Sequence, residues 1–382
     1  MKILIIPSWY PYPENPLAGK FFLDQAKALA KHTSHEYYLL NFGQNEYQLN
    51  LKQPGQIPAR LRSFLSAQPQ TKQLSERLWE LTVPHLSWSN YLNKGNLDSL
   101  SLPQDFKVDL IYALVSYPAG YLAMRLAKQM SLPYLIAEHS GPFPFPRFIR
   151  GGKLSPLILE PLQKASKVIA ISSFLQTSIL EYTGIKADII PNMVDTAFFV
   201  PPVIKSQDRK LRLFSMMAFT KAKGAFELLE ALLILKGRKL DFELVWAGDG
   251  ALRKEMMSKA LRLPVSFPGT LNQVQARQEY QRTDLYVMPS HLESFSMVLV
   301  EAMSCGVPAV ASSSGGPSDI VTAETGILCK PKNAGALAGA ILEYQSRRAE
   351  FDLLKIRSRC VRLYSEKVVC AQLNAVFESI KM

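Results

Sequence analysis

The stretch from Asp284 to Asp319, DLYVMPSHLESFSMVLVEAMSCGVPAVASSSGGPSD, admits few folds. Leu285 to Met288 is a short apolar run cut off by Pro289 and Ser290, the pattern of a buried strand. A polar loop carrying Glu293, Ser294, Phe295 and Ser296 follows. Met297 to Cys305 then reads as a helix, with Ser296 as its expected N-cap and Gly306-Val307-Pro308 as its stop. Ala309 to Ala311 is a second buried strand. Strand, loop, helix and strand make one βαβ unit, and such units take ligands where the loop leaves the carboxyl end of the strand. Glu293 lies in that loop, and Glu301 lies little more than a turn into the helix, leaning towards its N-terminus. Both are therefore expected to reach one ligand.

The same alternation runs along all 382 residues, a length that suggests two domains of about 150 to 200 residues each. Lys2 to Ile6 reads as a first strand and Pro7 to Lys20 as a long loop at its carboxyl end, with Gly19 able to bring backbone close to a ligand. Phe21 to Lys31 has helical spacing, and Glu36 to Phe42 is a second strand. From Gly43 to about Pro84 the chain is polar, a surface elaboration with a basic helical stretch around Arg60, Arg62, Lys72 and Arg77. That stretch is either a solvated face or a contact for anionic lipid. Val108 to Val115 and Tyr134 to Ala137 read as strands, the latter ending in Glu138-His139-Ser140, where His139 is either structural or placed for chemistry. GPFPFPRFIRGGKLSP reads as neither helix nor strand and is the candidate acceptor loop. Residues 196–209 look like a linker, after which the pattern restarts with a strand at Leu211, the loop Lys221-Ala222-Lys223-Gly224 and a helix from Phe226. The expected fold class is α/β, with two doubly wound, Rossmann-like domains facing a central cleft, divided as 1–198 and 199–366. No G-x-G-x-x-G follows the first strand, which disfavours a dehydrogenase.

Composition narrows the function classes. An apolar share of 48% with 20% charged residues is that of a globular enzyme. MKILIIP is too short for the apolar core of a signal peptide, and no run approaches 18 apolar residues, so neither a leader nor a membrane span is expected. Cysteines 305, 329, 360 and 370 lack C-x-x-C spacing and read as reduced thiols, with no metal expected. A formal charge of +12 asks for an anionic partner. Nucleic acid is set aside because the basic residues are spread and no aromatic-basic recognition motif occurs. An anionic membrane surface and anionic small substrates remain.

Glu293 and Glu301, eight apart, preceded by MPS and followed by EAMSCGVPAVAS and GGPSDIV, resemble the donor-site motif of retaining glycosyltransferases of GT-B architecture, the large family four (glycosyl transferases group 1). IIPNMVDTAFF, AFTKAKGAFELLEAL, WAGDGALRKEM, VSFPGTL and GILCKPKNAGALAGAI resemble further segments of that family, in its order. The likeness covers the second half strongly and the first half through its opening strand, loop and helix and through EHS. It implies a donor site for a UDP- or GDP-sugar in which Glu301 takes the ribose hydroxyls, Glu293 the transferred sugar and Lys223 the phosphates. Backbone N–H groups at Ser294, Phe295 and Ser296 would support the leaving diphosphate. His139 matches the histidine that the family places near the transferred sugar. The last helix, about 367–382, would pack back on the first domain.

The implied reaction is metal-independent and retaining, with the donor phosphate helping to deprotonate a lipid-linked or growing surface glycan. It would run in the cytoplasm, at the inner face of the membrane. The chain departs from the family at Ala218, where an arginine usually joins the lysine on the phosphates, and Lys221 could replace the charge but not the fork. Serines 294 and 296 stand where glycines are frequent. A nucleotide-sugar epimerase of the same architecture, or a non-catalytic nucleotide-sugar-binding partner, are the alternative readings.

Overall fold

Apolar runs become the strands of two parallel sheets in the computed structural model. It describes the chain except residues 13, 14, 16, 17, 44–46, 52, 89–101, 103, 104, 204–209 and 382, with backbone alone at 87, 88 and 381. Residues 204–209 of the expected linker, and parts of the 7–20 loop and the 43–84 segment, lie outside the described residues. The chain divides into two compact units, one of Met1–Ile171, Gln176–Ile190 and Cys370–Met382, the other of Ser172–Leu175 and Pro191–Val369. Among the described residues no helix is long and apolar enough to cross a membrane.

In the second unit the main sheet has six described strands in the order Val265–Ser266, Phe242–Ala247, Leu211–Met216, Leu285–Met288, Ala309–Ser312, Gly326–Cys329, all parallel. Numbered along the chain this is 3-2-1-4-5-6, the doubly wound Rossmann order. The order reverses between Leu211–Met216 and Leu285–Met288, so loops leaving those two strands open a crevice between them. The strand Leu285–Met288 is buried at every residue, as a strand covered by helices on both faces must be.

The first unit has an eight-stranded sheet among its described residues. Seven strands are parallel, and its order likewise reverses beside Lys2–Pro7, which lies between Glu36–Asn41 and Leu110–Leu114. The end of the chain contributes here: Phe377 packs 5.3 Å from Tyr112, and His35 Nε2 lies 3.1 Å from Glu378 Oε1.

Three expectations are corrected. The 43–84 segment is not wholly surface, because Leu78–Thr82 joins the main sheet parallel to Glu36–Asn41 and buries Leu78 and Leu81. Its neighbour Gln70–Ser75 is antiparallel to it, buries no residue and has Leu74 as its one apolar side chain, which hid the pair. The helix there is Ile57–Ser66 only; Lys72 lies in a strand, and Arg77 donates to the Thr33 carbonyl. The candidate acceptor loop is not irregular throughout: Ile149–Arg150 and Lys153–Leu154 form a hairpin. A helix, Pro156–Lys164, follows, with Ser155 accepting from the Leu157 N–H and proline in its first turn, a start signal that the proline-rich context obscured.

Candidate active site

The chain reversal in the second sheet brings together two loops that sequence places 70 residues apart. After Leu211–Met216, residues Lys221–Lys223 make a single tight turn that begins at Thr220, whose hydroxyl accepts from the Lys223 N–H, and ends at Gly224. After Leu285–Met288, the loop from Pro289 runs past Glu293. The two are tied by His291, whose N–H donates to the Ala222 carbonyl at 2.9 Å and whose Nε2 lies 2.8 Å from Glu227 Oε1 in the first turn of the helix Ala225–Gly237. Lys223 Nζ then meets Glu293 Oε1 at 2.6 Å, a charge-assisted bond between a cation about one third exposed and a carboxylate 17% exposed. Read as separate ligands for phosphate and sugar, these two residues touch each other here.

Glu293 is held from its other side by a third loop. Its N–H donates to the Ser314 carbonyl at 2.8 Å, and its carbonyl accepts from the Gly316 N–H at 2.9 Å. A Cβ on Gly315 would lie 2.7 Å from the Glu293 carbonyl oxygen, and one on Gly316 would lie 2.6 Å from Phe295 Cα. The Gly315-Gly316 pair is thus required by the close approach of two backbones. The Ser294 carbonyl accepts from Ser172 Oγ at 2.6 Å.

The helix Met297–Ser304 begins where expected, but Ser296 does not cap it. Ser296 sits at φ 134°, ψ 95°, a region suited to glycine, and its hydroxyl donates to Met288 Sδ at 3.0 Å. That backbone turns the side chain away from the helix N–H groups. Phe295 is buried and edge-on to Tyr364 at 5.8 Å, so its ring belongs to the core. The first N–H groups of this helix point out of its N-terminus without intrahelical acceptors, as in any helix. Glu301 lies in the second turn, where Oε2 accepts from the Tyr280 hydroxyl at 2.9 Å. Tyr280 is fully buried, and burial first, then the neighbouring Glu301 carboxylate, hold its phenol well above the ordinary range. It therefore stays a donor and orients Glu301. No spacing rule pointed to Tyr280, 21 residues away on another helix. Ala218 is exposed, as is Lys221 on the same loop as Lys223.

The first unit groups Gly19 and His139. Gly19 ends its loop at φ 62° and precedes the helix Lys20–His32; a Cβ there would lie 2.9 Å from the Tyr10 nitrogen and would strike the Trp9 carbonyl. Its close approach is thus to the loop's own backbone. Trp9 stacks on Phe22 at 5.8 Å, and the buried His139 ring meets Phe22 edge-on at 5.2 Å and Phe21 at 5.7 Å. Glu138, fully buried, shapes this turn: its carboxylate accepts from the N–H groups of Ser116, His139 and Ser140 and from Ser140 Oγ, at 2.6–3.0 Å. Four donors replace the water that a buried carboxylate loses.

Residues 199–359 match the model of the family described as Glycosyl transferases group 1. TuaC of Bacillus subtilis (strain 168), which bears the name of a teichuronic acid biosynthesis glycosyltransferase, is 28% identical over 252 residues, covering 63% of this chain and 62% of TuaC. The sulfoquinovosyl transferase SQD2 of Arabidopsis thaliana is 28% identical over 243 residues, 59% of this chain and 48% of SQD2. The chain thus spans less than two thirds of either relative's length. Among solved structures, a sucrose-phosphate synthase from Thermosynechococcus elongatus superposes with a TM-score of 0.72 at 17% identity, over 100% of this chain and 99% of that one. Anabaena HepE in complex with UDP and glucose does so with 0.69 at 19%, over 99% and 100%. At such identities these structures speak for the fold alone, which is GT-B, the α/β architecture expected from the sequence.

Proposed function

We propose that this chain, whose residues 199–359 belong to the glycosyl transferases group 1 family, transfers a sugar from a UDP- or GDP-sugar to a lipid-linked or growing surface glycan, with retention at the anomeric carbon and without a metal. The observation that carries the reading is the 2.6 Å contact of Lys223 with Glu293 at the reversal point of the second sheet, where doubly wound folds take nucleotides. A nucleotide-sugar presents two phosphates and two sets of hydroxyls. Lys223 supplies a cation for the phosphates, and Glu293, freed when Lys223 turns to them, accepts from the sugar hydroxyls. Glu301, oriented by Tyr280, accepts from the ribose. The N–H groups at Ser294, Phe295 and Ser296 meet the charge that grows on the diphosphate as the sugar C1–O bond breaks.

The acceptor oxygen forms its bond to C1 on the face that the diphosphate leaves, and its proton passes to a diphosphate oxygen. His139 and Gly19 are the residues that the reading assigns on the first unit, and a His139→Ala variant tests that assignment by its rate. Peripheral attachment to an anionic cytoplasmic membrane surface belongs to the same proposal, supported by the net charge of +12.

A thermal-shift screen of UDP- and GDP-sugars tests the donor site. A ligand present at 100 times its Kd should add about 2.7 kcal/mol of stability, and Glu301→Ala should abolish the shift. A wild-type chain whose melting no nucleotide-sugar raises would sink the reading.

A further inference from the structure

The hairpin Ile149–Leu154 of the first unit carries charge that no acid answers among the described residues. Arg150 and Lys153 stand directly opposite each other on its two strands, both exposed. Like charges so placed repel and weaken a hairpin. Gly151 and Gly152 between them take φ values of 55° and 74°, the two-residue turn that fixes this register. Three residues before Arg150, the exposed Arg147 guanidinium lies 5.3 Å from the ring centroid of Phe145 and 5.0 Å from that of Phe148, held by the aromatic faces. Phe148 is buried 5.3 Å from Tyr117, and its carbonyl accepts from the Ser155 N–H at 2.7 Å, which anchors the base of the hairpin. The acids nearest in sequence are already engaged, Glu138 by its four donors and Glu160 by Lys164 at 3.1 Å. Among the described residues no ion pair takes Arg147, Arg150 or Lys153. The segment also follows the carboxyl end of the strand Tyr134–Glu138, the end at which open α/β sheets receive ligands.

We propose that Arg147, Arg150 and Lys153 recognise a phosphate or diphosphate ester on the acceptor. The inference rests on the transferase reading above and adds the acceptor's chemical class. A multiply charged group with several oxygens relieves the Arg150–Lys153 repulsion and uses the arginine forks, whereas a neutral sugar does neither.

The test uses the full chain with UDP saturating, so that added inorganic pyrophosphate is read at a second site. Arg150→Ala/Lys153→Ala is expected to weaken pyrophosphate binding by about tenfold or more, as loss of charge-assisted contacts does. Its melting shift with UDP should be unchanged, and a charge-matched control, Lys186→Ala/Lys330→Ala, should bind pyrophosphate like the wild type. Equal affinity in the hairpin variant and the wild type overturns the proposal, and so does an equal loss in the control, which would mark general attraction to a basic surface. Phosphatidylglycerol vesicles separate the two sources of phosphate. A hairpin variant that loses vesicles but keeps pyrophosphate would assign these cations to the membrane and overturn the acceptor role. A wild-type chain that UDP does not stabilise would count against the transferase reading instead, while the pyrophosphate comparison still decides the hairpin.

Discussion

Ser296 holds a glycine-type backbone with a side chain attached, a conformation that costs on the order of 1–3 kcal/mol where its surroundings impose it. The neighbouring loops impose it through the Glu293–Gly316 and Ser172–Ser294 bonds. Ser296→Gly should therefore raise unfolding stability by about 1 kcal/mol even after loss of the weak bond to Met288, a shift that urea denaturation would read. An unchanged or lower midpoint would show that the hydroxyl offsets the strain. Glu138 behaves oppositely. Glu138→Gln replaces one accepting oxygen by a donor facing other donors, and should cost about 1–3 kcal/mol with melting lowered accordingly. The glycines frequent at position 296 in the resembled family were a signal for the first role, whereas the second was not open to sequence reasoning. The EHS triplet marks the end of a strand, but that Glu138 is its structural member depends on Ser116, 22 residues away.

At the scale of elements, the helix Met297–Ser304 and the paired loops before it were largely legible. An apolar four-residue run, a helix stop at Gly-x-Pro and a second apolar run leave little choice of fold, and the strand and helix formed within a residue or two of expectation. Two elements of the first unit were not legible. The hairpin strands Gln70–Ser75 and Leu78–Thr82 have only Leu78 and Leu81 buried, too short an alternation to separate from loop, and GPFPFPRF masked the Gly-Gly turn behind it. Burial around the helix also has a chemical consequence. Burial is the first cause that pushes the thiol pKa values of Cys305 and Cys360 up to about 12, with the Glu301 carboxylate adding to it at Cys305. Both thiols stay protonated far above neutrality, so at pH 8 Cys305 and Cys360 should resist iodoacetamide in native protein and label only when it is denatured, as mass spectrometry would register. Rapid labelling of Cys305 in the native state would mean that this helix base opens. In the same element pair, Lys223→Met should lower nucleotide-sugar affinity by roughly 10- to 100-fold, the size of a lost charge-assisted bond, in isothermal titration.

For the molecule as a whole, the net charge of +12 is unevenly spent along the chain. From Tyr47 to Ser75 the sequence holds Lys52, Arg60, Arg62 and Lys72 and no acid. The helix Ile57–Ser66 within it buries no residue fully, while Leu51 and Leu65 are 59% and 79% exposed. A helix earns its stability from burial of an apolar face, so one that buries so little in its own unit is suited to lying on another surface, and basic residues beside exposed leucines suit an anionic lipid interface. Each basic residue near such a surface contributes about 1 kcal/mol. Arg62 is exposed and Lys72 lies on an exposed strand, and neither belongs to the proposed donor site, so removing both charges tests the contact alone. Arg62→Gln/Lys72→Gln should weaken sedimentation with phosphatidylglycerol vesicles at low salt by roughly 30-fold, the equivalent of about 2 kcal/mol. The nucleotide-sugar melting shift should stay at its wild-type size. Wild-type protein that remains wholly in the supernatant would leave the basic surface to anionic substrates, and equal sedimentation of variant and wild type would move any membrane contact away from Arg62 and Lys72.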